Sequence, residues 1–415
     1  MTGQTLDVDA ERLRETFESY AGIGATGDGG LHRLALSEAD RVARDRFVSD
    51  LRALGLSVRV DELGNVFGRR AGRDAEAAPV LIGSHLDSQP YGGRYDGQLG
   101  VLVALETLRR FEERGVETDR PVEIVDWTNE EGSRFQPSMM GSGVYAGAHD
   151  AEAMLARTDR DGVSVGEALG RIDYDGDAPC EPPEAGVHAF LELHVEQGPT
   201  LDDRGLSVGV VDGVYGLAWL RAVVEGEADH AGPTPMHARR DALAAATDAV
   251  GEIQRLPNRL SADAVATVGE FRVEPDSINV VPGRATFTVD LRSEDDGVVD
   301  RGIERTRAEL DAACERHGVE YELERLSRHR PVAFAARVRA AADRAVEATG
   351  VPATHLVSGA GHDAQHLQSV TDAGMLFVPS VDGRTHAEAE FTEWEDCLAG
   401  ARAFANATLD LATAD

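Results

Sequence analysis

A histidine and two aspartates lie close together in the segment 83–97. His85 and Asp87 stand two residues apart at the end of an apolar run, and Asp96 follows after two glycines that let the loop fold back. If the strand continues through both residues, His85 and Asp87 point the same way, so Asp87 could orient the imidazole while His85 ligates a metal. The competing interpretation is a polar turn in which an aspartate caps the next helix.

Two adjacent glutamates, Glu130 and Glu131, follow a β-rich stretch that ends at Thr128. Neighbouring carboxylates repel each other unless a cation or a shared proton relieves them. One could therefore bind a metal while the other acts as a general base toward a metal-bound water. The pair alone does not establish this, because Glu-Glu is also common on solvated surfaces.

Two later histidines, His194 and His386, are also flanked by carboxylates. Alternate residues on a strand would place Glu192, His194 and Glu196 on one face, although a lone histidine of this kind is more often structural than ligating. Nitrogen and oxygen donors suit zinc, manganese, cobalt or nickel. Five donors for two ions require sharing, and Asp96 would be the natural bridge. The candidate ligands are His85, Asp96, Glu131, His194 and His386.

The charge balance restricts the partners of the protein. The chain has 41 basic and 74 acidic residues, a net charge of −33, and it contains no lysine. Such a charge disfavours binding to nucleic acid and to anionic membranes. Either an acidic tail binds a partner, or carboxylates spread over the surface keep the protein hydrated, as in a salt-rich cytoplasm. Long blocks of like charge are absent from the sequence, which favours the second interpretation.

The sequence predicts a cytoplasmic protein. Its first eleven residues are polar and acidic, and no apolar run approaches eighteen residues, so neither a signal peptide nor a membrane span is expected. The three cysteines, Cys180, Cys314 and Cys397, have no paired spacing and predict reduced thiols. Any metal must therefore use histidines and carboxylates.

Strands and helices alternate along the chain, as in α/β proteins. The pattern predicts strands at 80–84 and 122–128 and a helix at 99–111. An α+β unit is inserted at 213–329, with strands at 218–226 and 285–292 and helices at 240–253 and 300–315. The catalytic domain is then discontinuous, 1–212 and 330–415, and its second part has strands at 355–358 and 374–378 and a closing helix at 394–411.

These segments resemble the amidase/hydantoinase-carbamoylase branch of the M20 metallopeptidase superfamily. This branch includes N-carbamoyl-L-amino-acid hydrolases, β-ureidopropionases and allantoate amidohydrolases. The resemblance extends over nearly the whole chain and rests on ordered motifs at 85–97, 128–135, 192–199, 229–236, 279–283, 290–292 and 358–363. It implies a two-domain α/β fold, in which the inserted unit is a lid and dimerisation domain, with a hinge that Gly213 and Gly216 could provide.

The resemblance also implies roles for individual residues. Two divalent metal ions per subunit are expected, zinc first, with manganese, cobalt or nickel as alternatives. One metal would be held by His85, Asp96 and His194, and the other by Asp96, Glu131 and His386. Glu130 would be the general base and would return its proton to the leaving nitrogen. On the substrate side the resemblance implies an oxyanion contact from His230, carboxylate contacts from Asn279 and Arg292, and further contacts from Gln197 and His362.

Two of these assignments have alternatives within the sequence. Arg292 could simply be ion-paired in such an acidic protein. In the His386 segment, the proline that the family usually has two residues after the histidine is replaced by Glu388. This leaves open how rigid the loop is and whether Glu388 adds charge near the second metal.

The expected reaction is hydrolysis of the ureido C–N bond of an N-carbamoyl-L-amino acid, in a homodimeric enzyme. Allantoate and N-carbamoyl-β-alanine combine the same ureido group and carboxylate and remain alternative substrates. Peptidase relatives generally have a longer interval between the histidine and the bridging aspartate and an acidic residue in place of His194, so both features disfavour a peptidase or aminoacylase. A non-catalytic binding protein is disfavoured by Glu130, because a binder needs no general base.

Overall fold

The computed structural model describes residues 5–413, which divide into two compact units. The described residues up to Asp212 and from Phe334 onward form the first unit, and Gly213–Ala333 form the second. The sequence placed the inserted unit at 213–329, so the two divisions start at the same residue and differ by four residues at the end.

Fifteen strands and thirteen α-helices are present in the described part of the chain. The strands are β1 (Ser57–Val60), β2 (Val66–Arg70), β3 (Val80–His85), β4 (Val122–Trp127), β5 (Ala189–Val195), β6 (Val208–Val214), β7 (Gly216–Glu225), β8 (Asp229–His230), β9 (Val265–Glu274), β10 (Val280–Val281), β11 (Arg284–Ser293), β12 (Glu320–His329), β13 (Val332–Ala333), β14 (Ala353–Ser358) and β15 (Asp372–Val378).

The helices are α1 (Ala10–Ala21), α2 (Glu38–Ala53), α3 (Gln98–Glu113), α4 (Met140–Tyr145), α5 (Ala151–Leu155), α6 (Val165–Arg171), α7 (Thr200–Arg204), α8 (Ala242–Ile253), α9 (Pro257–Leu260), α10 (Asp296–His317), α11 (Ala336–Thr349), α12 (Asp363–Leu367) and α13 (Trp394–Thr413), with short 3-10 turns at Met236–Ala238 and Val381–Gly383. The predicted α/β class is confirmed. Each predicted strand and helix is present, with ends that differ by four residues or fewer.

A mixed sheet dominates the first unit. Its strands in this unit have the order β1-β2-β4-β3-β5-β15-β6, with β14 paired to β6, and its centre, β4-β3-β5-β15, is parallel. All six residues of β3 are buried, as expected of a strand covered by helices on both faces. In parallel strands the carboxyl ends lie at one edge of the sheet, which is where α/β proteins place their ligands.

Helix α3 begins directly after the loop that carries Asp96. Gly97, with φ +62°, precedes it, and all of its residues from Gln98 to Leu108 are buried. Most of these residues are apolar, as in a helix that the core covers on all faces, and each buried leucine contributes about 1.5–3 kcal/mol. The helix therefore fixes the end of the 86–97 loop against the core.

The second unit has its own core. Its antiparallel sheet has the order β12-β7-β11-β9, and α8 and α10 contribute to a shared hydrophobic cluster that includes Leu220, Phe287, Ala246 and Leu310. A separate two-stranded pair, β8 with β10, places His230 opposite Val280. In the described part of the chain, no helix combines the length and apolar character needed to cross a membrane.

The net charge of −33 predicts that salt stabilises the fold. Like charges on a folded surface repel one another, and raising the ionic strength shortens the screening length from about 10 Å at 0.1 M to about 3 Å at 1 M. The midpoint of thermal unfolding should rise by several degrees as KCl increases from low to molar concentration, as measured by circular dichroism. A midpoint that stays constant or falls would contradict this prediction.

Candidate metal site

The carboxyl edge of the parallel strands gathers the candidate ligands. His85 is the last residue of β3 and His194 lies near the end of β5. Glu130 and Glu131 follow β4, and His386 follows β15 in the connection to α13. Neighbouring strands therefore deliver side chains from segments that are far apart in sequence to one edge of one sheet.

Asp96 lies between the two predicted sets of ligands. Its Oδ1 is 3.4 Å from Nε2 of His85 and 3.1 Å from Nε2 of His194. Its Oδ2 is 3.4 Å from Nε2 of His386, which is in turn 3.5 Å from Oε2 of Glu131. One carboxylate thus directs one oxygen to each set. The spacing allows either set to hold a metal ion.

The two buried histidines have a tautomer that suits metal binding. Nδ1 of His85 is 3.0 Å from the carbonyl oxygen of Asp87, and Nδ1 of His194 is 3.0 Å from that of Val195. A carbonyl only accepts hydrogen bonds, so each Nδ1 carries a proton, and Nε2 is the atom that faces Asp96 and that a cation would bind. Nε2 of His85 is buried without a hydrogen-bond partner among the described residues. Such an atom fits a cation.

The carboxylates around this site have shifted pKa values. Burial alone would raise the pKa of Asp96, but the charges and hydrogen bonds of His194 and His85 hold it well below its ordinary value. Burial raises the pKa of Glu130 well above its ordinary value, against the lowering effect of His85, and the charges of Asp363 and Glu131 raise it further. Asp96 therefore remains an anion, while Glu130 has a high affinity for a proton, as a general base requires.

The carboxylate of Asp87 holds the backbone of Glu130 and Glu131 and does not orient the imidazole of His85. Its Oδ1 accepts the backbone N–H of Glu130 at 3.1 Å and its Oδ2 accepts that of Glu131 at 3.3 Å. The contact that orients His85 comes from the Asp87 carbonyl, whereas Nδ1 of His85 lies 3.8 Å from Oδ1 of the carboxylate. Asn129, directly before the glutamates, has a left-handed backbone with φ +55°. Asp87 thus fixes a turn that the backbone would not adopt readily.

The sequence of the chain matches the profile described as Peptidase family M20/M25/M40 over residues 81–410. The chain belongs to this family. An N-carbamoyl-L-amino-acid amidohydrolase of Rhizobium meliloti is 40% identical, with 99% of this chain and 98% of the relative covered. An allantoate amidohydrolase of Bacillus subtilis (strain 168) is 33% identical, with 96% and 97% covered.

The M20 fold is also confirmed by a solved structure. A hydantoinase/carbamoylase family amidase from Burkholderia multivorans superposes with a TM-score of 0.94, is 45% identical and covers 99% of each chain. The resemblance predicted from the ordered motifs is therefore confirmed. The predicted ligand set of this M20 protein lies together in the structure, in the geometry given above.

Gln197 and His362 lie beside these ligands in the M20 site. The amide Nε2 of Gln197 donates to Oδ2 of Asp96 at 2.8 Å and lies 3.3 Å from Nε2 of His386. The ring of His362 packs edge-on against His194, with 4.6 Å between ring centroids. Burial and the neighbouring His194 hold the pKa of His362 well below its ordinary value, so its ring is neutral.

The other predicted substrate residues belong to the second unit. Nδ1 of His230 accepts the backbone N–H of Gly232 at 3.0 Å, so its proton lies on Nε2, which is the opposite of the ligand histidines. The backbone carbonyl oxygen of Asn279 accepts the backbone N–H of Ala231 at 2.8 Å. Arg292 makes the ion pair that the sequence had left as its alternative, with Asp290 at 2.9 Å.

Several residues that support the site were missed by sequence reasoning. Oε1 of Glu390 accepts the N–H groups of Tyr95 and Asp96, both at 3.1 Å, so this carboxylate, not Glu388, joins the His386 segment to the Asp96 loop. Glu388 instead packs where a side chain on Gly30 would lie. No motif identifies Glu390 in advance, because its partners are almost 300 residues away.

A buried arginine also holds the loop after β3. The guanidinium of Arg33 is fully buried and donates to the carbonyl of Leu86 at 2.6 Å and to Oε1 of Gln98 at 2.8 Å. Oδ1 of Asp126 accepts the N–H of the same Leu86 at 2.9 Å. The residue that separates His85 from Asp87 is therefore fixed at both of its backbone polar groups.

The role of Asp87 is testable with Asp87→Asn. The amide oxygen can accept only one of the two N–H groups that the carboxylate accepts, and its NH₂ would oppose the other. We expect kcat to fall about 10–100-fold, as for other groups that orient metal ligands, with a smaller change in KM. The matched control is Asp159→Asn, because Asp159 accepts two backbone N–H groups in a surface turn. Equal loss in both variants would contradict the prediction.

Proposed function

We propose that this protein is a metal-dependent amidohydrolase that cleaves the ureido C–N bond of an N-carbamoyl-L-amino acid or a related ureido acid. The observation that carries the proposal is Asp96, whose two oxygens face two sets of ligands, with Glu130 3.6 Å from Nε2 of His85. The relatives named for carbamoyl amino acids and allantoate support this substrate class.

His85, Asp96 and His194 would hold one divalent cation, and Asp96, Glu131 and His386 would hold a second. Zinc is our first choice, and manganese, cobalt and nickel are alternatives that the same nitrogen and oxygen donors accept. When bound, the cations would supply Lewis acidity that polarises the ureido carbonyl and makes water a better nucleophile.

Glu130 would transfer the proton. Its buried carboxylate, with a raised pKa, accepts a proton from the attacking water and then donates it to the nitrogen that leaves. Adjacent Glu131 has a different task, because its oxygens face His386 and Gln89. The two adjacent glutamates therefore face different partners, so that Glu130 can act as the base and Glu131 as a metal ligand.

Residues of the second unit would recognise the rest of the substrate. The Nε2–H of His230 is a donor suited to the oxygen that gains charge during attack. Arg292 and Asn279 would hold the substrate carboxylate, for which Arg292 can supply two parallel hydrogen bonds. Gln197 and His362 would contact the substrate from the first unit. We further propose that the chain works as a homodimer, as its family resemblance suggests, and that it acts in the cytoplasm, where its three free cysteines would stay reduced.

Allantoate and N-carbamoyl-β-alanine are the alternative substrates, because each carries both a ureido group and a carboxylate. A panel of these compounds, carbamoyl-L-amino acids and dipeptides, assayed for ammonia and for peptide cleavage with each metal, would rank them. Cleavage of dipeptides alone would favour a peptidase. Metal binding without turnover of any compound would favour a non-catalytic binding protein.

Glu130→Gln tests the proposed base. The amide has the same shape but cannot accept the proton, so we expect kcat to fall about 10²–10⁴-fold while bound metal per chain, measured by elemental analysis, is unchanged. Glu131→Gln is the matched comparison and should lose bound metal as well as activity. Near wild-type turnover in Glu130→Gln would refute the assignment.

Arg292→Ala tests carboxylate recognition. A charge-assisted hydrogen bond contributes about 1.5–3 kcal/mol, so we expect KM for an N-carbamoyl amino acid to rise about tenfold or more, with little change for an uncharged alkyl urea. Asp290→Asn is the control, since it removes the ion-pair partner of Arg292 and keeps the guanidinium, and it should not raise KM. An equal rise for both substrates would mean that Arg292 only stabilises its strand.

A further inference from the structure

The two proposed cation positions differ in how firmly the protein holds their ligands. At the first position, His85, Asp96 and His194 are all buried, and both imidazoles are anchored through Nδ1 to backbone carbonyls. At the second position, the His386 side chain is 48% exposed and its backbone has φ +52°. Two of the three ligands of the first position therefore lie on strands, whereas all three ligands of the second lie in loops.

Glu131 is a ligand of the second position alone, and Gln89 holds its side chain by hydrogen bonds. The backbone N–H of Gln89 donates to Oε1 of Glu131 at 3.0 Å, and its amide Nε2 donates to Oε2 at 2.9 Å and to the Glu131 carbonyl oxygen at 3.3 Å. One residue thus fixes both carboxylate oxygens and the backbone. The remaining lone pairs of Oε2 are directed to the side where Nε2 of His386 lies 3.5 Å away.

Among the described residues, Gln89 makes no hydrogen bond to a ligand of the first position. Its other partners are Gly92 and Ser88, whose N–H and hydroxyl donate to the Gln89 carbonyl at 3.2 and 3.0 Å. A carboxylate that can rotate freely loses conformational entropy when it binds a metal, whereas two hydrogen bonds from Gln89 already restrain the carboxylate of Glu131. Removing the Gln89 amide should therefore weaken the second position alone.

We infer that Gln89 is a positioning residue that orients Glu131 and so sets the occupancy of the second cation position, while the first position fills independently of it. This inference rests on the proposed metal site. We expect the second cation to be bound more weakly than the first. Gln89, which is not itself a ligand, would then determine whether both positions are filled.

The test is a titration of the metal-free full-length protein with Mn²⁺. Binding is measured by calorimetry and from the electron paramagnetic resonance signal of the free ion. Wild type should bind two Mn²⁺ per chain with two distinct dissociation constants. His386→Ala should lose the weaker one, which assigns it to the second position. Gln89→Met keeps the size of the side chain but cannot donate a hydrogen bond, and it should raise the weaker constant 10–100-fold and leave the tighter one within twofold.

Gln136→Met is the matched control. Gln136 lies in the loop that follows Glu131 and donates to the carbonyl of Gly132 at 2.6 Å, so it tests loosening of that loop without loss of a Glu131 side-chain contact. It should change neither constant. Unchanged constants in Gln89→Met, or equal weakening of both, would overturn the role of Gln89. A wild type that binds no Mn²⁺, or only one, would instead overturn the proposed two-cation site.

Discussion

The candidate site depends on holding an ionised carboxylate, Asp96, in a buried position. Burial opposes this charge, and the charges and hydrogen bonds of His194 and His85 at one oxygen maintain it. The other oxygen accepts the amide of Gln197 and lies 3.4 Å from Nε2 of His386. The imidazoles can face it together only because β3 and β5 are hydrogen-bonded parallel neighbours and the His386 segment follows the next parallel strand. The order of the central strands is thus a requirement of the electrostatics, since a single strand could not supply these ligands.

Hydrogen bonds to the backbone give the histidines and carboxylates around Asp96 different roles. The Nδ1–H groups of His85 and His194 donate to carbonyls, which leaves Nε2 for a metal, whereas His230 accepts at Nδ1 and presents Nε2–H. The carboxylate of Asp87 accepts the backbone N–H groups of Glu130 and Glu131, whose side chains carry the proposed proton transfer and metal ligation. Hydrogen bonds to the backbone therefore decide what otherwise similar side chains can do.

The unusual composition of the chain affects its surface more than its site. Arginine is its only cationic long side chain, and Arg33 shows what this allows in the interior. Its planar guanidinium donates to the carbonyl of Leu86 and to Gln98, a fork of donors that a lysine ammonium does not supply. The excess carboxylates lie mostly where water can solvate them, and those of the site are paired or hydrogen-bonded.

The sequence by itself determined the α/β class and the inserted unit, and it indicated a candidate set of ligands, because apolar periodicity and ordered motifs are local properties. It could not assign the contacts that hold the ligands in place. Glu390 reaches the Asp96 backbone across 294 residues, and Gln89 reaches Glu131 across 42, so neither pairing leaves a local pattern. It also left Arg292 with two alternatives, and the structure shows its ion pair with Asp290. Tautomers, ion pairs and supporting hydrogen bonds follow from which backbone groups meet after folding, and only the tertiary structure brings those groups together.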